Sequence, residues 1–196
     1  NQGKWYQPRK GNRYVVMGIK ELLDAPGEYW YDSNQKTLHI VPPAGKTPAS
    51  LAVEAKKRLH AIDLSGRSHV VLDQLRFRAA GILTDEKTTD VVLDGLHGYW
   101  VAHSWEHCQS GKAGVLLLGK RITARNCEFA CASNSVMTIG GSDNKVYNCL
   151  IRDGGYSSHW KGTVVIHGRR QYFGYNTVRG AGRDLGAIEG RGNAER

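Results

Sequence analysis

Short segments of one kind recur along this chain at intervals too small for any of them to fold alone. They are His69–Phe77, Asp90–Leu96, Arg121–Phe129, Lys145–Ile151 and Tyr172–Val178. Aligned, they place Gln74, Gly95, Asn126, Asn148 and Asn176 in one column, at steps of 21, 31, 22 and 28 residues. A second strand-like segment lies between them, at Gly114–Gly119, Ser135–Gly140, Thr163–Gly168 and Leu185–Gly190. Its closing glycines, Gly119, Gly140, Gly168 and Gly190, keep nearly the same steps, 21, 28 and 22. Ala61–Gly66 reads as an earlier member and Gly81–Thr84 as a degenerate one. Units that cannot bury their own apolar face must stack, which is the signature of a solenoid. The expected fold is therefore all-β, a right-handed parallel β-helix of about six coils, because crossovers between parallel strands are right-handed. A propeller blade, at roughly 40 residues, is too long for these steps.

In such a stack, equivalent positions of successive coils form columns. Leu75, Leu96, Cys127 and Cys149 share one, and Phe77, Phe129 and Ile151 lie two residues on, so alternation points both sets inward. Cys127 and Cys149 are then buried, reduced core residues, with a disulfide between them as the alternative. The asparagine column is expected to bond up and down the stack at a coil corner. Residues 1–50 differ in pattern from residues 51–196. Glu28–Val41 alternates on both sides of an Asp-Ser-Asn-Gln turn and reads as a β-hairpin, ended by Pro42-Pro43. Ala49–Lys57 reads either as a short helix or, from Val53, as the start of the first coil.

Composition narrows the function. With 24 glycines in 196 residues and few helix-length amphipathic stretches, short strands and turns dominate. The formal charge of +9 favours a polyanionic partner, either nucleic acid or acidic polysaccharide. The basic residues form short scattered clusters without a nucleic-acid motif, so nucleic acid is not expected. No apolar run is long enough to span a membrane. The four cysteines, Cys108, Cys127, Cys131 and Cys149, form neither a secreted disulfide framework nor a zinc site.

The run Leu22–Asp32, then Lys36–Pro43, then repeats such as Asn148–Gly155 and Asn176–Arg183, resembles the right-handed parallel β-helix repeat proteins of bacterial carbohydrate metabolism. That group includes glycoside hydrolases, polysaccharide lyases and alginate-type epimerases. The likeness covers roughly residues 14 to 190 and is specific for architecture rather than chemistry. It implies a polysaccharide or oligosaccharide partner, acidic in some members, and a secreted or periplasmic location. Members commonly carry further coils, so a following chain segment or an oligomer partner is expected to cap the last coil.

Candidate site residues follow from the second strand. Val115, Leu117, Val136, Thr138, Val164 and Ile166 take one alternation phase; Leu118, Ile139, His167 and Glu189 take the other, which is expected to face outward. His167 and Glu189 would stack on adjacent coils as an acid/base pair, with Asp184 as a second carboxylate, for glycosidic hydrolysis. Equally, they form a surface ion pair. Lys120, Arg169, Arg170 and Arg191 would hold substrate carboxylates, and His159 and Trp160 on a coil-to-coil loop would contact the sugar. Trp100, Trp105 and Trp160 are either sugar-stacking rings or cover for the stack. A lyase would instead remove the proton alpha to a uronate carboxyl with a His, Lys, Arg or Tyr base. A non-catalytic carbohydrate-binding module remains the third reading. His103, Glu106 and His107 do not form HExxH, so no metal is expected there; calcium near Asp143 or Asp153 stays open.

Overall fold

The computed structural model describes residues 10–11, 16, 18–103, 113–156 and 162–180, with the backbone of 188–190. The chain divides into two compact units, Asn1–Glu54 and Ala55–Arg196. In the first, β1 (Tyr29–Asp32) and β2 (Thr37–Ile40) form the expected antiparallel hairpin. The Asp32 carboxylate accepts hydrogen bonds from the backbone N–H groups of Asn34 and Gln35, at 2.8 and 3.0 Å, which closes the turn as an Asx turn. Between Ala49 and Lys57 the chain forms no α-helix. A 3-10 turn at Pro48–Ser50 is followed by irregular chain, and the first parallel strand begins only at His60.

The second unit is all-β. Its strands form three parallel sheets that the chain visits in rotation. Sheet I holds β3 (His60–Asp63), β6 (Gly81–Leu83), β9 (Val115–Leu117), β12 (Met137–Ile139), β15 (Val164–Ile166) and β18 (Ile188–Gly190). Sheet II holds β4 (Val71–Asp73), β7 (Val92–Asp94), β10 (Thr123–Arg125), β13 (Lys145–Tyr147) and β16 (Tyr172–Gly174). Sheet III holds β5 (Arg76–Arg78), β8 (His97–Ala102), β11 (Glu128–Ala132), β14 (Leu150–Gly154) and β17 (Thr177–Arg179). Within each sheet, successive strands are counterparts from successive circuits paired in parallel, an arrangement consistent with a parallel β-helix.

Single left-handed residues turn the chain from sheet to sheet. His69, Gln74 and Ala79 have positive φ, and the same five-residue rhythm recurs at Asp90, Gly95 and Trp100, at Arg121, Asn126 and Cys131, and at Asp143, Asn148 and Asp153. This conformation is costly for a residue with a Cβ, of order 1–2 kcal/mol. It persists because each corner N–H is bonded to the next circuit: His69 to the Thr89 carbonyl, Asp90 to Lys120, Arg121 to Ser142 and Asp143 to Arg169.

The second residue of each strand in sheets II and III points inward, so Leu93, Ala124, Val146, Phe129 and Ile151 are buried in one core. Gly98 occupies this position in β8 because the Phe77 ring fills the space; a Cβ there would lie 2.6 Å from it. Phe77 and Phe129 thereby approach to 6.3 Å between ring centroids. Cys127 and Cys149 are buried and free, next to each other in the column after the second corner. The sulfur–sulfur hydrogen bond and burial push the Cys127 thiol up.

Two columns differ from the sequence alignment. Tyr147 pairs with Gly174, so Tyr175, with a φ of 55°, takes the corner after Asn148, and Asn176 falls opposite Cys149. Asn176 instead accepts from the Cys149 N–H and donates to the Val146 carbonyl, at 2.9 Å each. In sheet I, Ile139 pairs with both Leu117 and Ile166, which puts Gly140 opposite His167 and Gly141 opposite Gly168. Gly141, at a φ of 67°, is the true closing glycine: a Cβ there would lie 2.0 Å from the Gly119 carbonyl oxygen. Met137 and Ile139 are consequently the buried members of β12, and Thr138 is not. The Gly140-Gly141 doublet shifts that alignment by one residue.

Beside Gly141, the buried Asn144 accepts from the Ile122 N–H at 2.8 Å and donates to the Gly119 and Gly140 carbonyls at 3.1 and 2.5 Å. Asn144→Ala leaves those buried groups unpaired and is expected to lower unfolding free energy by about 3 kcal/mol. Urea denaturation, with an unchanged slope and a reduced midpoint, is the measurement.

Candidate functional site

One group of polar and aromatic side chains of the second unit converges on the outer face of sheet III and on the corner that follows it. A β-bulge builds that corner. Tyr99 pairs with Ala130 and Ala102 with Ala132, so Trp100 and Val101 oppose Cys131 alone. The extra residue lets Val101 fill the core while left-handed Trp100 is thrown outward. Tyr99, Trp100 and Tyr156 are 36%, 37% and 49% exposed. With His103 they form a row of rings, with centroid separations of 6.3 Å for Tyr99–Trp100, 4.9 Å for Trp100–His103 and 5.6 Å for His103–Tyr156. The His103 Nδ1 and the Tyr156 hydroxyl share a hydrogen bond.

Arg152 organises the adjoining polar groups. Its guanidinium carbon lies 4.9 Å from the Tyr99 ring centroid. Its Nε and Nη2 donate to Glu128 Oε1 at 3.1 and 2.8 Å, Nη1 donates to Asp153, and Nη2 also donates to the Tyr99 hydroxyl. His97 Nδ1 stands 3.7 Å from the other Glu128 oxygen. The bond to Tyr99, with those to the two carboxylates, raises the Arg152 pKa against burial, and the side chain is 15% exposed. Two carboxylates are thus held side by side next to a row of exposed rings. Burial lowers the His103 pKa, and the Lys56 charge adds to it, so the imidazole is neutral near pH 7.

The residues expected from sequence lie elsewhere. His167 follows β15 on sheet I, its ring packed over Gly140. Glu189 pairs with Val165, so its position is diagonal to His167, roughly 8 Å away along the backbone, rather than stacked on it. Lys120 and Arg169 lie in the bridge column Thr89, Lys120, Ser142, Arg169. Both are exposed, and neither forms an ion pair among the described residues. Arg170 belongs to the first corner column, where it meets Asp143 through two bonds of 2.6 and 2.8 Å. Arg121 meets Asp90 in the same way at 2.7 and 2.6 Å, so this corner carries alternating charges. The Arg170 fork is engaged within the stack. Asp184, Arg191, His159, Trp160, Trp105, Glu106 and His107 lie outside the described residues. Asp143 and Asp153, the suggested calcium positions, each hold an arginine, and no group of three or more metal-ligating side chains occurs among the described residues.

Sequence reasoning singled out Trp100 but missed Tyr99, Glu128, Arg152 and Tyr156. One signal was present. The two long circuits carry their extra residues after Trp100 and after Asp153, at the same corner. Comparison with known proteins gives no matching family model, no matching curated protein and no matching solved structure.

The Arg121 hydrogen bond holds the Asp90 carboxyl down at about 2. A carboxyl depressed on folding stabilises the protein above its unfolded pKa, near 4, and loses that contribution as pH falls through the folded value. Asp90→Asn is therefore expected to flatten the fall in urea midpoint between pH 4 and pH 2. An undiminished fall in the variant would show that the ladder contributes nothing.

Proposed function

We propose that this chain is a right-handed parallel β-helix, secreted or periplasmic, that binds a polysaccharide along the outer face of sheet III and hydrolyses its glycosidic bonds. The observation that carries the reading is the exposed row Tyr99, Trp100, His103 and Tyr156 beside Glu128 and Asp153. Rings spaced on the scale of a pyranose unit, with Trp100 edge-on to both Tyr99 and His103, offer faces and edges in turn to a sugar chain, and the bulge fixes Tyr99 and Trp100 in place. Right-handed winding follows from the handedness of parallel crossovers.

Hydrolysis needs one carboxylic acid to protonate the leaving oxygen and one carboxylate to attack the sugar or activate water, about 5 to 9.5 Å apart depending on stereochemistry. Glu128 and Asp153 grip different edges of one guanidinium, a span of that order. Glu128, held by Arg152 through two bonds, suits the charged role. Asp153, held through one nitrogen, is the proton donor once a sugar hydroxyl displaces it from Arg152. A second reading, β-elimination on a uronate, is favoured by the His103–Tyr156 hydrogen bond. A neutral imidazole there accepts the alpha proton, and the phenol protonates the leaving oxygen.

The protein is to be assayed against neutral and uronate polysaccharides, with and without calcium. Glu128→Gln and Asp153→Asn are each expected to lower kcat by about 10² to 10⁴-fold while glycan binding persists. Unchanged turnover in both rejects hydrolysis at this site. Ultraviolet-absorbing unsaturated products, lost in His103→Ala, establish elimination instead, and binding without product release establishes a recognition module.

A further inference from the structure

Two side chains beside the ring row, Lys56 and His60, take no part in the chemistry above. Lys56 is partly exposed as a residue, yet its Nζ is inaccessible to solvent and has no hydrogen-bond partner among the described residues. That is the reverse of ordinary lysine behaviour, in which the stem is buried and the ammonium reaches water. His60, at the start of β3, likewise has a buried Nδ1 without a hydrogen-bond partner among the described residues. Strand pairing brings His60 to the corner of the ring row, and the charge of Lys56 acts on both His60 and His103. His60 pairs with Gly81, Gly81 abuts Gly114, and Gly114 abuts Val101, two residues before His103.

The electrostatics agree with this convergence. Burial lowers the Lys56 pKa. Burial also lowers His60 and His103, and in both the Lys56 charge contributes in the same direction. Asp63 acts the opposite way on His60, but its carboxylate is engaged by the Ser65 N–H at 2.9 Å. A buried ammonium without a counterion or hydrogen bond is among the costlier arrangements in a fold. A site that turns an ammonium and an imidazole nitrogen inward, with a second imidazole alongside, is complementary to an oxyanion.

We infer that Lys56, His60 and His103 form an oxyanion subsite that holds a carboxylate or sulfate-ester group of the glycan lying on the ring row. The inference rests on the proposed glycan reading, and it names the substrate class as an anionic polysaccharide. His103 joins the two features, since its ring continues the row at 4.9 Å from Trp100. The +9 charge of the chain favours the approach of such a polymer.

The test is equilibrium binding of the full chain to hexagalacturonate, its carboxyl-reduced neutral counterpart and a sulfated galactan hexasaccharide. In parallel, the His60 imidazole NMR signals are followed during titration with acetate and inorganic sulfate. Tighter binding of a charged hexasaccharide than of the neutral one, by tenfold or more, is expected. Lys56→Met should reduce that preference to none while leaving neutral affinity intact, and Lys56→Arg should restore part of it. Which charged ligand binds tighter tells carboxylate from sulfate ester. Equal binding of charged and neutral glycans, unaffected by Lys56→Met yet abolished by Trp100→Ala, overturns the subsite and leaves the glycan reading standing. Absence of glycan binding, with His60 shifted by acetate or sulfate in the native chain and not in Lys56→Met, keeps the anion site and removes the glycan reading. Silence in both experiments overturns both.

Discussion

Every feature of the second unit depends on hydrogen bonding between successive circuits at the corners as well as along the strands. Strands of three residues are too short to hold a sheet by their own ladders. The corner N–H of His69, Asp90, Arg121 and Asp143 each reaches the carbonyl of the next circuit, so pairing is continuous where the chain changes direction. Maintaining that pairing around a one-residue turn demands positive φ, and the chain accepts it at Arg121, Trp100 and Tyr175 as readily as at Gly95 or Asn126. The local strain is offset by bonds that a looser turn would lose.

That repetition explains how a site arises on so regular a scaffold. Where each circuit obeys the same rhythm, outward side chains form monotonous columns, such as the alternating acids and arginines at the first corner. The bulge at Trp100 and Val101 breaks the rhythm. It moves one aromatic ring out of register, opens the corner after sheet III and brings Tyr99, His103 and Tyr156 into one row. Arg152 fixes the neighbouring carboxylates from the next circuits, so the row and the charged groups form one surface drawn from residues more than fifty positions apart.

Much of the architecture was legible beforehand. The steps between asparagines and glycines implied stacked circuits, the alternation around Phe77, Phe129 and Ile151 identified core columns, and Asp-Ser-Asn-Gln marked the hairpin turn. Register was less secure. Gly140-Gly141 offers two glycines for one corner, and Tyr175-Asn176 offers two residues that tolerate a turn, so residue type alone misplaced each column by one. A one-residue error in a strand exchanges inward and outward faces, which is why Thr138 and Ile139 were reversed. Glu189 was placed two residues out, opposite His167 instead of Val165, which keeps its face but moves it off its neighbour.

The sequence by itself determined that this chain repeats, that its repeats are strands, and that their apolar columns must meet in a common core. Those properties live in composition and spacing, and hydrophobic periodicity transmits them without reference to distant partners. Only the tertiary structure decided which columns face out and which residues share the corner. It engaged Arg170 with Asp143, gathered Glu128 and Asp153 around Arg152, and buried the Lys56 Nζ and the His60 Nδ1. The physical reason is that register is set by pairing between circuits 21 to 31 residues apart, and a bulge or a glycine doublet changes it without altering the local pattern.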